Sequence, residues 1–249
     1  MNTPEASSRR ISNHILAALS PDERENLSRH FEYVNLSRGQ AVVEPDESIR
    51  DVYFPCGALV SLVSLLSDGS TAEVNIVGRD GLVGLPAILG VGRTPMRAVV
   101  LIPGAAVKVR ADVLRAAFGR GGALQSRILR YTHAALFAAS QSAVCNSHHP
   151  VDSRLARWLL ASSDGAESND LPVTHELIAS LLGVRRAGIT CAAMTLREDE
   201  LISYNRGHIT VIDRPGLEAV ACECYRAIRG QLEHLTGNGS GLASSAFAA

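Results

Sequence analysis

The spacing of hydrophobic and polar positions changes several times along the chain, and each change predicts a different kind of element. Over residues 11–36 apolar residues recur at helical spacing, and Ser20-Pro21-Asp22-Glu23 has the form of a helix N-terminus. Over residues 39–109 short β-branched runs alternate with Gly, Pro and Asp, which predicts several short antiparallel strands. Within that region Ser67-Asp68-Gly69-Ser70 predicts a hairpin with a tight primed turn, because Asp-Gly tolerates positive φ.

A helical pattern returns near Asp112 and continues to about Cys145. Apolar and small residues in it follow spacings of 4, 3, 4, 3, 4 and 3, which is the heptad seam of a coiled coil. We expect this helix to pair with the same helix of a second chain; the alternative is a long helix that lies on its own domain. The expected dimer contacts are Leu124, Ile128, Tyr131, Ala135, Ala138 and Ser142, and Cys145 ends the repeat.

The stretch from Leu171 to Leu196 predicts two short helices joined by a turn. Thr174 is a favourable N-cap, and Gly183 stands where the first helix must end in a positive-φ turn. Such a pair is the helix-turn-helix unit, whose second helix enters the DNA major groove, although similar pairs occur in ordinary helical bundles. The predicted buried faces are Leu177, Ile178, Leu181 and Leu182 on the first helix, and Ile189, Ala192, Ala193 and Leu196 on the second.

The exposed face of the second helix is predicted to carry base-reading side chains. It begins with Arg185 and Arg186, whose guanidinium groups match the O6 and N7 atoms of guanine. The alternative is a solvated helix start in a chain that is rich in arginine. Thr190, Met194 and Arg197 continue the same face.

Two short strands follow, at residues 201–204 and 208–212, on either side of Asn205-Arg206-Gly207. A helix-turn-helix followed directly by such a hairpin is a winged helix. Arg206 and Tyr204 are then placed to reach the phosphate backbone. Since a structural hairpin accepts any polar tip, the role of Arg206 stays open between a phosphate contact and simple solvation.

The order of a β-rich domain, a long helix, a helix-turn-helix and a wing resembles the Crp/Fnr family of bacterial transcription regulators. The resemblance covers about residues 12–230, and its most specific part is residues 171–213. It implies an α+β fold with three parts. These are an N-terminal antiparallel β-roll (jelly-roll) sensor domain at 12–112, a dimerisation helix at 113–147 and a winged helix-turn-helix domain at 148–230. Composition, which is rich in Gly, Ser and Ala at the end of the chain, predicts a disordered tail at 231–249.

The resemblance implies a homodimer that binds palindromic sites on double-stranded promoter DNA. RNA polymerase and an unidentified small-molecule effector are further candidate partners. Carried over by position, Thr174 would contact a phosphate and Arg186 would read a guanine. Ala187 stands where many members have a base-reading glutamate, and Cys191 where several have another arginine, so the operator should differ from that of the best-known members. The expected DNA-contacting residues are Thr174, Arg185, Arg186, Ala187, Gly188, Thr190, Tyr204 and Arg206.

The family's nucleotide-binding residues are not reproduced in the glycine-rich segment that begins at Gly78. Leu85 or Pro86 stands where the family has a glutamate for the ribose hydroxyl. Arg97 lies one position away from the family's phosphate-binding arginine, and Arg93 falls in a loop. A cyclic nucleotide held in the usual way is therefore not expected. The segment serves turn geometry alone or a different small ligand.

The five cysteines show no spacing typical of a metal or disulfide site. The first is Cys56, and its isolation excludes the N-terminal iron–sulfur cluster of the family's oxygen-responsive branch. Cys222 and Cys224 are expected on one helix, where side chains at i and i+2 point about 200° apart, so they are interpreted as core or surface thiols. His148-His149 is interpreted as a hinge. We therefore expect no metal and no cofactor.

The charge balance and the apolar runs of the chain bear on its partners and its location. The chain has 249 residues, with 24 basic side chains against 25 acidic ones, and all the basic residues except Lys108 are arginine. Any DNA affinity must therefore come from local arginines. The sequence contains no apolar run long enough to span a membrane and no signal peptide, which predicts a cytoplasmic protein without a membrane partner.

The sequence also argues against an enzyme, because nucleophile motifs, paired metal ligands and converging carboxylates are missing. Glu73 and Asp112 are interpreted as isolated turn and surface residues. The alternative to a regulator is a β-roll that binds a small ligand, with C-terminal helices that serve only for assembly.

Overall fold

The computed structural model describes residues 12–236 and contains three antiparallel sheets. The first part of the chain forms α1 (His14–Ala17), α2 (Pro21–Ser28), β1 (Glu32–Leu36), β2 (Ala41–Val43), β3 (Asp51–Pro55), β4 (Leu59–Leu65), β5 (Thr71–Val77), α3 (Leu85–Ile88), β6 (Arg97–Ile102) and β7 (Gly104–Arg110). The second part forms α4 (Ala111–Gly119), α5 (Gly122–His148), α6 (Val151–Ala166), β8 (Asp170–Leu171), α7 (His175–Leu182), α8 (Arg186–Glu198), β9 (Ile202–Asn205), β10 (His208–Val211), α9 (Arg214–Val220) and α10 (Cys224–Thr236).

The first seven strands form two sheets that share one hydrophobic core. Their strand orders are β1-β7-β3 and β2-β6-β4-β5, and every pairing is antiparallel. Phe54 and Val107 from one sheet and Val60 and Val100 from the other are at most 1% exposed in that core. The third sheet, β8-β10-β9, belongs to the C-terminal helical domain. The expected α+β class, with a β-roll followed by a winged helix-turn-helix, is confirmed.

Strand β1 replaces the end of a predicted helix. The sequence predicts helix up to Leu36, but α2 ends at Ser28 and residues 32–36 pair with β7, from Glu32 opposite Lys108 to Leu36 opposite Gly104. The backbone groups of this segment are satisfied by β7 and not within a helix. A long-range ladder therefore outweighs the local preference, as is common for short segments at a sheet edge.

The hairpin at residues 67–70 is present between β4 and β5, but its turn is not primed. Among the central residues only Gly69 has positive φ, at 83°, and its N–H donates to the Leu66 carbonyl at 2.9 Å. Leu66 in turn donates to the Ser70 carbonyl at 2.9 Å, so the connection has three residues. This is the loop with one left-handed glycine that follows a type I turn.

The long predicted helix is divided in two by a glycine pair. Gly121 and Gly122 have φ of 84° and 85°, a conformation that a helix interior does not contain, so α4 ends at Gly119 and α5 begins at Gly122. The N-terminus of α5 receives its cap from another helix, because the Glu23 carboxylate accepts a hydrogen bond from Leu124 N at 3.1 Å. The first predicted turns of the dimerisation helix are thus a separate element.

The heptad seam of α5 faces its own chain. Leu124, Ile128, Tyr131 and Ala138 are at most 4% exposed, and the Tyr131 hydroxyl donates to the Leu82 carbonyl at 3.2 Å. Ala135 and Ser142 are half-buried on the same side. The four buried residues are therefore already covered within one chain and are not free to meet a second copy, whereas a dimer contact at Ala135 and Ser142 stays a prediction. Spacings of 3 and 4 describe any helix that lies on a core, and here that core is the β-roll and α10.

Helix α10 continues beyond the predicted domain end at residue 230 and reaches Thr236. It packs along α5, and Leu232 lies against the β-roll core. The start of the predicted disordered tail is therefore wrong for residues 231–236. The remainder of that tail, residues 237–249, lies outside the described residues.

Glu73 links the two domains and is not a surface residue. It lies in β5, where its carboxylate accepts hydrogen bonds from Ser61 Oγ at 2.5 Å and from Trp158 Nε1, in α6, at 2.7 Å. Trp158 is 1% exposed. Burial raises the pKa of Glu73, and the two hydrogen bonds oppose that rise. Asp112 is exposed in the first turn of α4, as predicted.

Candidate nucleic-acid interface

Helices α7 and α8 form a bent pair around Gly183. The change of direction between the two helices is 114°, and Gly183 ends α7 with φ of 64°. This angle lies in the range of helix-turn-helix units. The predicted buried faces are confirmed, because both pack into one core with α6 and the wing strands. Seven of the eight residues are buried and Leu177 is half-buried: Leu177, Ile178, Leu181, Leu182, Ile189, Ala192, Ala193 and Leu196.

Thr174 stands where the first helix meets the wing. Its hydroxyl caps α7 by accepting a hydrogen bond from Leu177 N at 3.2 Å, while the residue itself stays exposed. A Cβ atom on Gly207, at the wing tip, would lie 3.5 Å from Thr174 Cγ2. The start of α7 and the tip of the wing therefore form one continuous surface, on which both can face the same phosphate backbone.

The outer face of α8 presents the predicted side chains. Arg185 is the N-cap residue, and it is exposed together with Arg186 and Ala187. Arg186 Nε lies 3.4 Å from Glu176 Oε2, with the two side chains 70% and 72% exposed. Such an exposed pair is easily exchanged for another anion. Gly188 and Thr190 are half-buried, whereas Cys191, Met194 and Arg197 are exposed.

The wing has the predicted tip. Asn205 pairs with His208, and the two residues between them, Arg206 and Gly207, have φ of 43° and 84°. Positive φ at both central positions defines the two-residue primed turn, which places the exposed Arg206 side chain at the end of the hairpin. A third strand, β8, pairs with β10 and anchors the wing to the domain.

His175 organises this surface, and the sequence reasoning missed it. Its ring lies edge-on against Tyr204, with centroids 4.9 Å apart, and its Nδ1 lies 3.4 Å from Thr190 Oγ1. Burial lowers the pKa of His175, and the nearby charge of Arg186 lowers it further, so the ring is neutral near pH 7. The Arg197 guanidinium also lies over the Tyr204 ring, 5.0 Å from its centroid. Tyr204 is thus held between α7 and α8.

In the β-roll, the side chains at the positions where the family binds a nucleotide are engaged in packing or in an ion pair. Leu85 and Pro86 are half-buried at the start of α3. Arg97 forms an ion pair with Glu44, with Nη2 2.8 Å from Oε1. A Cβ atom on Gly78 would lie 2.4 Å from the Cα of a glycine in α6, so this part of the glycine-rich segment serves close packing between the domains.

A cavity of about 540 Å³ lies between β5, α5, α6 and α10. Its volume is in the range of small-molecule sites. Charged and aromatic side chains from both domains line it, including Arg79, Tyr131, Arg157, Trp158, Asp164 and Arg229.

The structure places Cys222 and Cys224 differently from the prediction. Cys222 precedes α10 and Cys224 is its first residue, so the two side chains are not held apart by one helix. Cys145 and His149 from the end of α5 join them, and the donor atoms of all four lie within 4.8 Å of one another. His149 contacts Glu223 as well, with 3.1 Å between Nε2 and Oε1. Sequence spacing could not predict this cluster, because Cys145 and His149 are separated from Cys222 and Cys224 by more than seventy residues.

Among residues 12–236, we find no single helix that has the length and apolar composition to cross a membrane. The bent pair α7–α8 reaches those limits only when its two helices are taken together.

Comparison with known proteins gives matches to the C-terminal domain and to the whole fold. A family model described as a Crp-like helix-turn-helix domain matches residues 153–220. The global nitrogen regulator of Synechococcus elongatus is 24% identical over 186 residues, which cover 71% of this chain and 83% of that protein.

Two solved structures have the same fold at low sequence identity. FixK2 from Bradyrhizobium japonicum has a TM-score of 0.66 and 17% identity, over 77% of this chain and 98% of that one. A CRP-family transcriptional regulator from Thermus thermophilus has a TM-score of 0.63 and 20% identity, over 76% of this chain and 96% of that one.

Proposed function

We propose that this chain is a DNA-binding transcription regulator of the Crp/Fnr type, and that it binds promoter DNA as a homodimer with α8 in the major groove. The observation that carries the proposal is the exposed arginine pair at the start of α8, beside the primed turn that carries Arg206. Winged helices place the first turn of the second helix against base edges and the wing against the backbone.

The contacts divide into base-reading and positioning groups. Arg186, with Arg185 beside it, supplies bidentate donors to guanine. Thr174 and Arg206 lie on the continuous surface between α7 and the wing and contact phosphates. Tyr204 supports them through its contacts with His175 and Arg197. Ala187 has no polar side chain, so base reading depends on the arginines, and Gly188 and Thr190 complete the contact face.

The proposed dimer contact uses the outer side of α5. Leu129, Leu136 and Val144 are 50%, 68% and 50% exposed, although all three are large and apolar. They recur at spacings of 7 and 8, which keeps them on one stripe of the helix. A second copy of α5 would cover this stripe, and it replaces the buried seam as the expected interface.

The proposed sensor responds to a ligand other than a conventionally bound cyclic nucleotide. Arg97 is paired with Glu44, and Leu85 and Pro86 have no side-chain acceptor for a ribose hydroxyl. The cavity between the β-roll and α6 is the proposed effector site. Its walls come from both domains, so a ligand there would bias their relative position. RNA polymerase is a further proposed partner of the DNA-bound dimer.

Selection of bound sequences from random DNA with the full-length chain tests this function. A regulator should enrich one palindromic motif, and its affinity for that motif should fall steeply as salt rises. Random recovery together with salt-independent binding would instead favour a ligand-binding β-roll whose C-terminal helices serve assembly.

A further inference from the structure

Three thiols and one imidazole meet where α5 ends and α10 begins. Cys145 lies in the last turns of α5, His149 directly follows that helix, Cys222 lies just before α10, and Cys224 is the first residue of α10. The sulfur atoms of Cys145 and Cys222 are 3.5 Å apart, and so are Cys224 Sγ and His149 Nδ1. All four donor atoms lie within 4.8 Å of one another.

These separations fit a single tetrahedral ion. With Zn–S bonds of about 2.3 Å and Zn–N bonds of about 2.1 Å, tetrahedral geometry places neighbouring donors roughly 3.6–3.8 Å apart. An iron–sulfur cluster holds its ligands around several metal atoms and needs a wider ring of donors. Three thiolates and one imidazole form one of the closed ligand sets of structural zinc sites.

The surroundings of the four residues are those of a metal site. His149 turns Nδ1 towards Cys224 while its Nε2 contacts the Glu223 carboxylate at 3.1 Å, which is the carboxylate–histidine arrangement found behind metal-bound imidazoles. The Gln141 amide donates to Cys224 Sγ at 3.2 Å, as a donor to a thiolate would. Packing of apolar thiols alone explains the burial of the cysteines, but it does not explain these two polar contacts.

We propose that Cys145, His149, Cys222 and Cys224 bind one Zn²⁺ ion, with Glu223 and Gln141 as supporting groups. The ion ties the end of α5 to the start of α10, beside the junction where Pro150 leads into α6. It therefore fixes how the C-terminal domain sits on the long helix. This site does not depend on the DNA-binding proposal, because metal content and DNA affinity are measured separately.

The metal content of the full-length chain, purified without a polyhistidine tag and under reducing conditions, tests the proposal. We expect one Zn²⁺ per chain, and after exchange we expect the visible bands of tetrahedral, thiolate-bound Co²⁺. Cys145→Ser and Cys224→Ser should each lose the ion and those bands. Cys56→Ser is the matched control, because Cys56 is a half-buried thiol of the β-roll outside the cluster, and it should keep both.

Glu223→Gln covers the case in which the cysteine variants do not fold, because it keeps all four ligands. Its affinity for Zn²⁺, measured by competition with a chromophoric chelator, should fall about 10–100-fold. Zinc at a hundred times its Kd should raise the Tm of the parent by roughly 5–10 °C. A reduced, folded parent that neither retains Zn²⁺ nor takes up Co²⁺ overturns the proposal, as does a Cys145→Ser variant that binds either ion like the parent.

Discussion

Replacing Arg186 with alanine tests the contact on which the proposed base reading most depends. In the free protein the guanidinium lies 3.4 Å from Glu176, and both side chains are more than two-thirds exposed. An exposed ion pair of this kind contributes at most about 1 kcal/mol, so little is needed to release Arg186 towards DNA. A bidentate contact to guanine contributes about 1–3 kcal/mol.

The proposed homodimer would make this contact in each half-site, so the variant should lose roughly 2–6 kcal/mol of binding free energy. At 1.4 kcal/mol per tenfold, that is a loss of about 30-fold to 10⁴-fold in affinity for the selected operator. The loss should nearly vanish on operators in which the contacted base pair is changed, since the specific contact is then already missing.

Fluorescence anisotropy with labelled operators at fixed salt measures these affinities for the parent and the variant. Arg115→Ala is the matched control, because Arg115 is an exposed arginine on α4, outside the helix-turn-helix and the wing, and its loss should leave affinity unchanged. Unchanged operator affinity in Arg186→Ala would refute the base-reading role. An equal loss on all sequences, with a salt slope lower by about one, would show that Arg186 contacts a phosphate instead.

Three further predictions concern assembly, pH dependence and the turn. Leu136→Glu places a charge on the exposed α5 stripe and should convert the proposed dimer to a monomer in analytical ultracentrifugation, while far-UV circular dichroism stays that of the folded parent; a retained dimer mass contradicts the proposed interface. Because burial raises the pKa of Glu73, the folded chain holds that proton more tightly than the unfolded one. The protonated Glu73 therefore contributes to stability below about pH 4, and that contribution is lost as pH rises. In urea unfolding, the free energy of unfolding of Glu73→Gln should exceed that of the parent by an amount that grows towards pH 7; a pH-independent difference contradicts this. Gly183→Ala should cost about 1 kcal/mol in urea unfolding because φ is 64°, whereas Gly188→Ala, inside α8 with open space, should stabilise by about 0.5–1 kcal/mol; equal effects would show that φ is not the cause.

The helix-turn-helix and the wing were accessible from sequence because their determinants are local. Thr174 caps the helix that it immediately precedes, and Gly183 ends that helix in its own left-handed conformation. Arg206 and Gly207 adopt the turn between strands that adjoin them directly. In each case the residue type restricts its own backbone, so the prediction does not need the rest of the chain.

The face of α5 could not be decided in this way. Leu124 and Ile128 on one side and Leu129 and Leu136 on another are all apolar, and helical spacing does not say which set meets a core. The β-roll and α10 cover the first set, and the second set stays exposed. Burial of a helix face is settled by the surfaces that pack against it.

The sequence alone determined the helix-turn-helix, the wing and the arginines that head α8, since these follow from periodicity and turn chemistry within about forty residues. The tertiary structure decided which segments pack on the β-roll and that Trp158 donates a hydrogen bond to Glu73. It also decided that the sulfur atoms of Cys145 and Cys222, which are 77 residues apart in sequence, lie 3.5 Å from each other. Contacts of such separation depend on the closure of long loops and the packing of whole domains, for which a spacing pattern carries no signal.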